Sequence, residues 1–400
     1  MKMIPILLGG DLNAYSMALA FYEAGAAPSY VLGRYRLGAT SWSRIVRPVI
    51  SSRMATDEGR RAMIAEVAAR HPDATPVLIG CTDEYASFLI REKETLGERY
   101  LIPSPPPYTL RYSDKAVFAD ACREGGIKTP KTLLLRGDEG VPEVLPFLYP
   151  AVMKPAVSEE YWHHPFEGMR KVWFTKSRDE AEKVRKKMRS AGYRGTVLLQ
   201  ERIPAADTDN FVLTVYCDRT ARARALAYGR VILEEHTPRG LGNHAVILTE
   251  PPPPVAGRLV ALLEKIGYRG FANFDLLRDP RGGEPYVLEM NLRQGRSNHY
   301  MTASGINPAG LVIADLVLRE ELPFLTATPD ILWHSVPLSV AYSMVKDDGL
   351  LRRLRSLEAA GRAVSPFHAR GDLARNPLRR LFVWEHERRI RRRSRAPAAE

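Results

Sequence analysis

Cysteine is scarce in this 400-residue chain: Cys81, Cys122 and Cys217 stand far apart. Three such residues build neither a disulfide framework nor a zinc motif, so a reducing, cytoplasmic location is expected. Long apolar runs are also missing. A membrane-crossing helix needs roughly 18 such residues, and the best stretch, Leu311 to Leu318, is interrupted by Asp315. The opening run Ile4–Leu8 stops at Gly9-Gly10; it is too short for a secretory signal and reads as a first strand. No GxGxxG spacing follows it, which sets aside a standard dinucleotide site. No Ser-His-Asp or Cys-His arrangement stands out, so a covalent side-chain nucleophile is not expected. Internal repeats are absent too.

Lysine is missing from the last fifty residues, whereas arginine is abundant there. Leu351–Glu400 carries 14 arginines against five acids, so +9 of the net +12 charge sits in this segment. The remaining body is nearly neutral, and no nucleic-acid partner is expected. Within the segment, Leu378, Leu381, Phe382, Val383 and Trp384 lie among nine arginines from Arg375 onward. Two readings follow. The segment rests peripherally on an anionic membrane surface, or it covers the protein's own core with Trp384 and leaves its arginines solvated. The second is preferred.

What is present is ordinary for a globular protein of two or three units: 45% hydrophobic and 26% charged residues. Strands at 4–8, 29–32 and 76–79 alternate with helices at 14–24, 57–70 and 83–94, predicting a parallel, Rossmann-like sheet. The Gly9-Gly10-Asp11 turn reads equally as a tight strand-to-helix turn or as a substrate contact. Pro103, Pro105, Pro106 and Pro107 mark a boundary. Beyond it, a helix from Ser113 to Glu124 precedes a series of strands and a helix at 178–191. A second proline run, Pro251–Pro254, leads into a helix ending near Ile266. Strands at 274–277 and 286–290 then form an antiparallel pair.

That pair carries the strongest chemistry. Asp275 sits on one strand, while Glu289 and Asn291 sit two apart on the other, so all three fit on one face. Two carboxylates and an amide oxygen are hard ligands suited to one or two Mg²⁺ ions bridged by nucleotide phosphates. Lys154 ends the strand Ala151–Met153 before Pro155, and Lys115 lies in the first turn of a helix. Both suit a polyphosphate. Leu198 to Pro204 places Gln200 and Glu201 at a strand end whose backbone groups suit an adenine edge, as many strand exits do. The loop 156–170 holds a single glycine, Gly168, with Glu159, Glu160, Tyr161, Trp162, His163 and His164, and reads as a lid over the reacting centre. His163-His164 is not expected to bind metal. The loop 239–244 is either a substrate-facing element or a plain strand connection.

Lys115, Val152-Met153-Lys154-Pro155, Gln200-Glu201, Asp275 and Glu289-Met290-Asn291, in this order, resemble the ATP-grasp superfamily over about residues 1 to 325. The resemblance implies an α/β and α+β fold. A Rossmann-like domain at 1–107 would precede an ATP-grasp N-lobe at 108–195, a C-lobe with the metal site at 196–325 and a basic extension at 326–400. It further implies that Lys115 and Lys154 bind phosphates, that Gln200, Glu201 and Ile203 frame adenine, and that Asp207 or Asp209 takes the ribose. Asp275, Glu289 and Asn291 would hold magnesium, and Arg293 would face the γ-phosphate or an acyl phosphate. Arg293-Gln294-Gly295-Arg296-Ser297-Asn298 is similar to the carboxylate–amine ligases that include D-aspartate ligases, which extend a peptidoglycan precursor. Arg293, Arg296, Ser297 and Asn298 are accordingly expected to meet substrate. Arginine forks suit carboxylates. The expected activity joins a small-molecule carboxylate to an amine, with ATP and Mg²⁺. The competing readings are an amino-acid or dipeptide ligase of secondary metabolism, and a non-catalytic nucleotide- or nucleic-acid-binding protein.

Overall fold

The apolar opening run forms β1 (Met3–Leu8) in the computed structural model, which describes residues 2–26, 28–235 and 242–395. Helix α1 (Leu12–Glu23) follows, then β2 (Ser29–Gly33), β3 (Val46–Ile50), α2 (Asp57–Ala69), β4 (Thr75–Gly80) and α3 (Asp83–Leu96). The sheet is fully parallel, in the order β3-β2-β1-β4. Strands β1, β2 and β4 are largely buried, against α1 on one side and α2 and α3 on the other. Strand β3 was not anticipated. Its Val-Arg-Pro-Val-Ile sequence has no apolar period, and Pro48 is tolerated because β3 is an edge. The β1–α1 turn depends on Gly9, whose φ of 130° disfavours a side chain and whose Cβ would reach Cys81 Cβ at 3.0 Å.

Helix α4 (Lys115–Glu124) is capped by Asp114, whose Oδ1 accepts from Ala116 N at 2.7 Å. Strands β5 (Thr132–Leu135), β6 (Ala151–Pro155), β7 (Trp173–Thr175) and β8 (Val197–Glu201), with α5 (Ser158–Trp162) and α6 (Arg178–Ser190), make a small lobe. Its antiparallel sheet runs β5-β8-β6-β7. Since β8 bonds to both β5 and β6, the small lobe extends to Glu201, past the expected change at 195. Helix α4, by contrast, packs Phe118 and Cys122 into the core of the large sheet.

The large sheet contains β9 (Asn210–Cys217), β10 (Ala223–Glu234), β11 (His244–Thr249), β12 (Gly270–Leu277) and β13 (Tyr286–Asn291). Short strands β14 (Leu325–Thr326), β15 (Leu332–His334) and β16 (Ala363–Val364) extend it. Its order is β13-β12-β9-β10-β11-β15-β16, with β14 beside β10. Residues from 326 onward are thus woven into this sheet as well as trailing behind it. Helix α7 (Pro254–Lys265) covers one face, while α1 and the first sheet close the other.

The C-terminal helix (Pro377–Arg395) does not use Trp384 as a core plug: Trp384 is 57% exposed. This corrects the sequence expectation. Arg379, Phe382, Val383 and His386 share one face at helical spacing, and that face docks instead. Arg379 is fully buried, 3.0 Å from Asp372 Oδ2 and stacked 4.4 Å from the Tyr15 ring. The expectation that all the arginines are solvated is corrected on the same evidence. No described helix is long and apolar enough to cross a membrane.

Candidate active site

The acids converge as their spacing predicts. Asp275 pairs with Glu289, and Asn273 with Asn291, across the β12–β13 ladder. A β-bulge interrupts the ladder, because Leu276 pairs with Val287 and leaves Leu288 extra. That bulge turns Leu288 and Glu289 into the same cavity. Asn291 Nδ2 lies 3.4 Å from Asp275 Oδ2. Burial and then the neighbouring Glu289 charge push Asp275 up to about 8. Burial opposes ionisation of Glu289 as well, but Lys115, Lys171 and Lys154 outweigh it and hold that carboxyl well below its ordinary value.

Three lysines therefore surround one carboxylate. Lys115 Nζ is 3.1 Å from Glu289 Oε2, and Lys171 Nζ is 3.8 Å from Oε1. Lys115 Nζ also reaches Ser158 Oγ at 3.3 Å on the small lobe. Burial brings Lys154 down to about 8, with Glu289 partly offsetting the effect. Lys171, before β7, lacked a sequence signal: it stands alone in a loop.

Two cavities meet at this cluster. A small one of about 150 Å³ is lined by Lys154, Phe211, His244, Asp275 and Leu288, among others. A wide cleft of about 780 Å³ runs to the first sheet, lined by Gly10, Asp11, Arg34, Asp83, His163 and Asn291, among others. Lys115, Ser158, Lys171 and Glu289 border both. Phe211, stacked on Tyr228 at 5.3 Å, gives the small cavity an aromatic wall. Burial, reinforced by Lys171, lowers His244 to about 4, so it is neutral at physiological pH.

The remaining expected residues are distributed unevenly. Gln200 is buried and donates to Thr132 Oγ1 at 2.7 Å, while Glu201 Oε1 accepts from Lys131 N at 2.9 Å. Ile203 is buried. Asp207 Oδ2 accepts from Glu234 N and Asp209 Oδ2 from Ala206 N, each at 3.0 Å. None of these five lines either cavity, although the 207–209 turn leads directly into Asn210 and Phe211, which do.

The 293–298 loop lies in a seam between the first sheet and the large one. Arg293 Nε is 2.7 Å from Asp83 Oδ1, at the start of α3, and Arg296 Nη1 is 2.8 Å from Glu235 Oε1. Arg296 Nε lies 3.8 Å from Asp11 Oδ2. Asn13 Oδ1 accepts from both Gln294 Nε2, at 3.0 Å, and Asn298 Nδ2, at 2.8 Å. Ser297 and Asn298 are buried there, so the side chain of Asn298 is engaged with α1. Gly295 permits this closeness, since a Cβ would fall 2.5 Å from Asn273 Oδ1. Asn13, the partner that joins Gln294 and Asn298, had no sequence signature.

The lid segment is ordered by aromatic packing. Tyr161 OH donates to Arg170 O at 3.0 Å, and Phe166 stacks on Trp173. His163 lines the cleft, whereas His164 turns to Tyr193, with ring centroids 6.0 Å apart. Residues 239–241 of the 239–244 loop lie outside the described residues, while Asn243 lines the wide cleft and Gly242 and His244 the small cavity.

A divalent cation fits this donor set. Burial, and then the facing Glu289 carboxylate, drive Asp275 toward its neutral form, and a cation between the two would relieve both. Among the described residues no cluster of three or more His, Cys, Asp or Glu is present. An ion here would therefore draw its other ligands from Asn291, phosphates and water, as magnesium commonly does.

A small lobe, a large and mainly antiparallel sheet and a parallel-sheet domain, meeting at lysines and paired acids, define an ATP-grasp fold. Solved structures agree. An L-amino acid ligase from Bacillus licheniformis aligns with a TM-score of 0.54 at 17% identity, covering 79% of this chain and 74% of that one. A biotin carboxylase domain from Hydrogenobacter thermophilus, complexed with MgADP, ADP and bicarbonate, gives 0.59 at 14% identity, covering 83% and 74%. No family model matches the chain. A D-aspartate ligase from Enterococcus faecium (strain Aus0004) is 34% identical over 363 residues, 87% of this chain and 86% of that protein. The chain belongs to the ATP-grasp carboxylate–amine ligases, in the D-aspartate ligase group. It is an ATP-dependent enzyme that forms a carbon–nitrogen bond.

Proposed function

We propose that the enzyme, with ATP and Mg²⁺, activates the carboxylate of an amino acid, D-aspartate in the first instance, as an acyl phosphate. It then transfers the acyl group to an amine of a peptidoglycan precursor. One observation carries this reading: Lys115, Lys154 and Lys171 surround Glu289 where the two cavities meet. Nucleotide phosphates in the small cavity and a carboxylate in the wide cleft meet at that point. Supporting it, the Enterococcus faecium relative is named for D-aspartate.

In this reading Phe211 and Leu288 bracket the purine, with Gln200, Glu201 and Ile203 at the strand-exit edge and Asp207 or Asp209 on the ribose. The three lysines lower the barrier by offsetting charge on the transferring phosphoryl group. Asp275, Glu289 and Asn291 would hold magnesium, which supplies further charge neutralisation across the phosphates. Arg293, anchored by Asp83, faces the acyl phosphate. Arg296, positioned by the buried 297–298 segment, fixes the carboxylate end of the substrate. The acceptor amine enters along the Asp11–Asp83 wall of the cleft. The expected cytoplasmic location agrees with a nucleotide-consuming step, and the basic C-terminal segment has a membrane surface as its neighbour.

The test is a phosphate-release screen of D- and L-amino acids with peptidoglycan-precursor and simple amine acceptors, run with hydroxylamine as a trap. ATP-dependent hydroxamate from D-aspartate supports the reading. Turnover without any trappable acyl phosphate, or a clear preference for an L-amino acid, overturns it.

A further inference from the structure

The C-terminal helix has two faces, and the core uses only one. At 100° per residue, the docked residues Arg379, Phe382, Val383 and His386 centre on one side. Leu378, Leu381 and Trp384 occupy the other and are 54%, 59% and 57% exposed. Arg388 and Arg392 continue this outer face toward the C-terminal end. The outer face is thus apolar in its first half and basic in its second.

The helix is held firmly. Asp372 receives Ser43 Oγ at 3.0 Å and Arg44 N at 2.8 Å as well as Arg379. His368 and Glu387 pair at 2.7 Å. Phe382 packs over Gly38, where a Cβ would meet the ring at 3.2 Å. Asn376 Nδ2 donates to Trp42 O at 2.8 Å, which sets a further exposed aromatic, Trp42, beside the start of the helix. A shallow basin lies there, lined by Trp42, Ser43, Arg44, Arg375 and Asn376.

The charge decides what covers this face. The helix has eight arginines and two glutamates. Glu385 is taken up by Arg388 and Arg389, and Glu387 by Arg391. Among the described residues Arg380, Arg392 and Arg393 are left without an acidic partner. A second copy of the same face would bring like charges together, whereas an anionic lipid surface complements them. Tryptophan and arginine flanking leucines also suit the headgroup boundary.

We propose that the outer face of the C-terminal helix, together with Trp42 and the Arg44–Arg375 basin, is a docking surface for an anionic phospholipid bilayer, on which the helix lies in plane. The proposal stands apart from the identity of the substrates. Full-length protein is sedimented with vesicles of phosphatidylcholine alone or mixed equally with phosphatidylglycerol. Binding at least tenfold tighter to the anionic vesicles, weakening with salt, is expected. A blue shift of tryptophan emission that the Trp384→Phe variant diminishes is expected with it. The Leu381→Glu/Trp384→Glu and Arg388→Glu/Arg392→Glu variants should each lose at least tenfold in vesicle binding while keeping the parental far-ultraviolet spectrum and ligase rate on soluble substrates. Absence of binding to anionic vesicles, equal binding by these variants, or a helix-dependent dimer in sedimentation equilibrium overturns the proposal.

Discussion

Lys115 Nζ lies 3.1 Å from Glu289 Oε2, joining the first turn of α4 to the bulged strand β13. Glu289 thus serves two partners, since Lys171 approaches its other oxygen. Replacing Glu289 with Gln removes the charge that both lysines face and one hard oxygen of the cation-ready set. ADP release should fall by about 10²–10³-fold or more, with little change in fold. Near-parental turnover would remove Glu289 from the machinery.

Lys154 offers a test of the opposite sign for stability. Burial lowers it from an ordinary 10.5 to about 8. Below pH 8 it is charged in both the folded and the unfolded chain, and the folded state bears the burial penalty. The Lys154→Met variant should therefore be inactive yet more stable at pH 7, by on the order of 1–3 kcal/mol. This advantage should fade as pH rises from about 8 to 10.5. Calorimetric melts of both proteins at pH 6, 7, 9 and 10 would show it; a variant less stable at every pH contradicts it.

Arg379 and Asp372 form a fully buried pair. Arg379→Ala strands the Asp372 charge, so a loss of about 3–5 kcal/mol is expected. The double variant Arg379→Met/Asp372→Leu should recover much of that loss. Chemical denaturation of the three proteins distinguishes a stranded charge from simple loss of packing, which the double variant would not repair.

Asn13 bonds both Gln294 and Asn298. Asn13→Leu leaves two buried amides without this acceptor, at about 1–3 kcal/mol, and loosens the loop that carries Arg293 and Arg296. KM for the carboxylate substrate should rise several-fold while KM for ATP holds. Equal changes in both constants would argue against a positioning role.

The clustering of the acids was legible where polar residues interrupt apolar strands: Asp275 and Glu289 betray themselves as charges among buried neighbours. Strands and helices with a clear period emerged close to their expected ends. Strand β3 did not, because an edge position relaxes the pattern that marks a central strand. Lys171 and Asn13 stayed hidden for a different reason. Their roles arise from contacts across long sequence separations, and a single lysine or asparagine carries no periodic trace of its partner. Arg379 looked like any other arginine of a basic tail. Only the phase of the folded helix separates it from Arg380.

The chain's two ends are fastened together: Tyr15 OH, on α1, donates to Asp372 Oδ2 at 2.9 Å, just before the final helix. That clasp and the amide seam lock the parallel sheet to the large one. The small lobe has its own core; its Lys171 approaches Glu289, and its Ser158 Oγ accepts from Lys115. In mechanical terms the two sheets make one frame, and the small lobe is a separately packed jaw set against it. In the proposed reading the work of gripping a nucleotide falls on residues 131–201, and tightening the clasp at the far end should steady the frame without stiffening the grip.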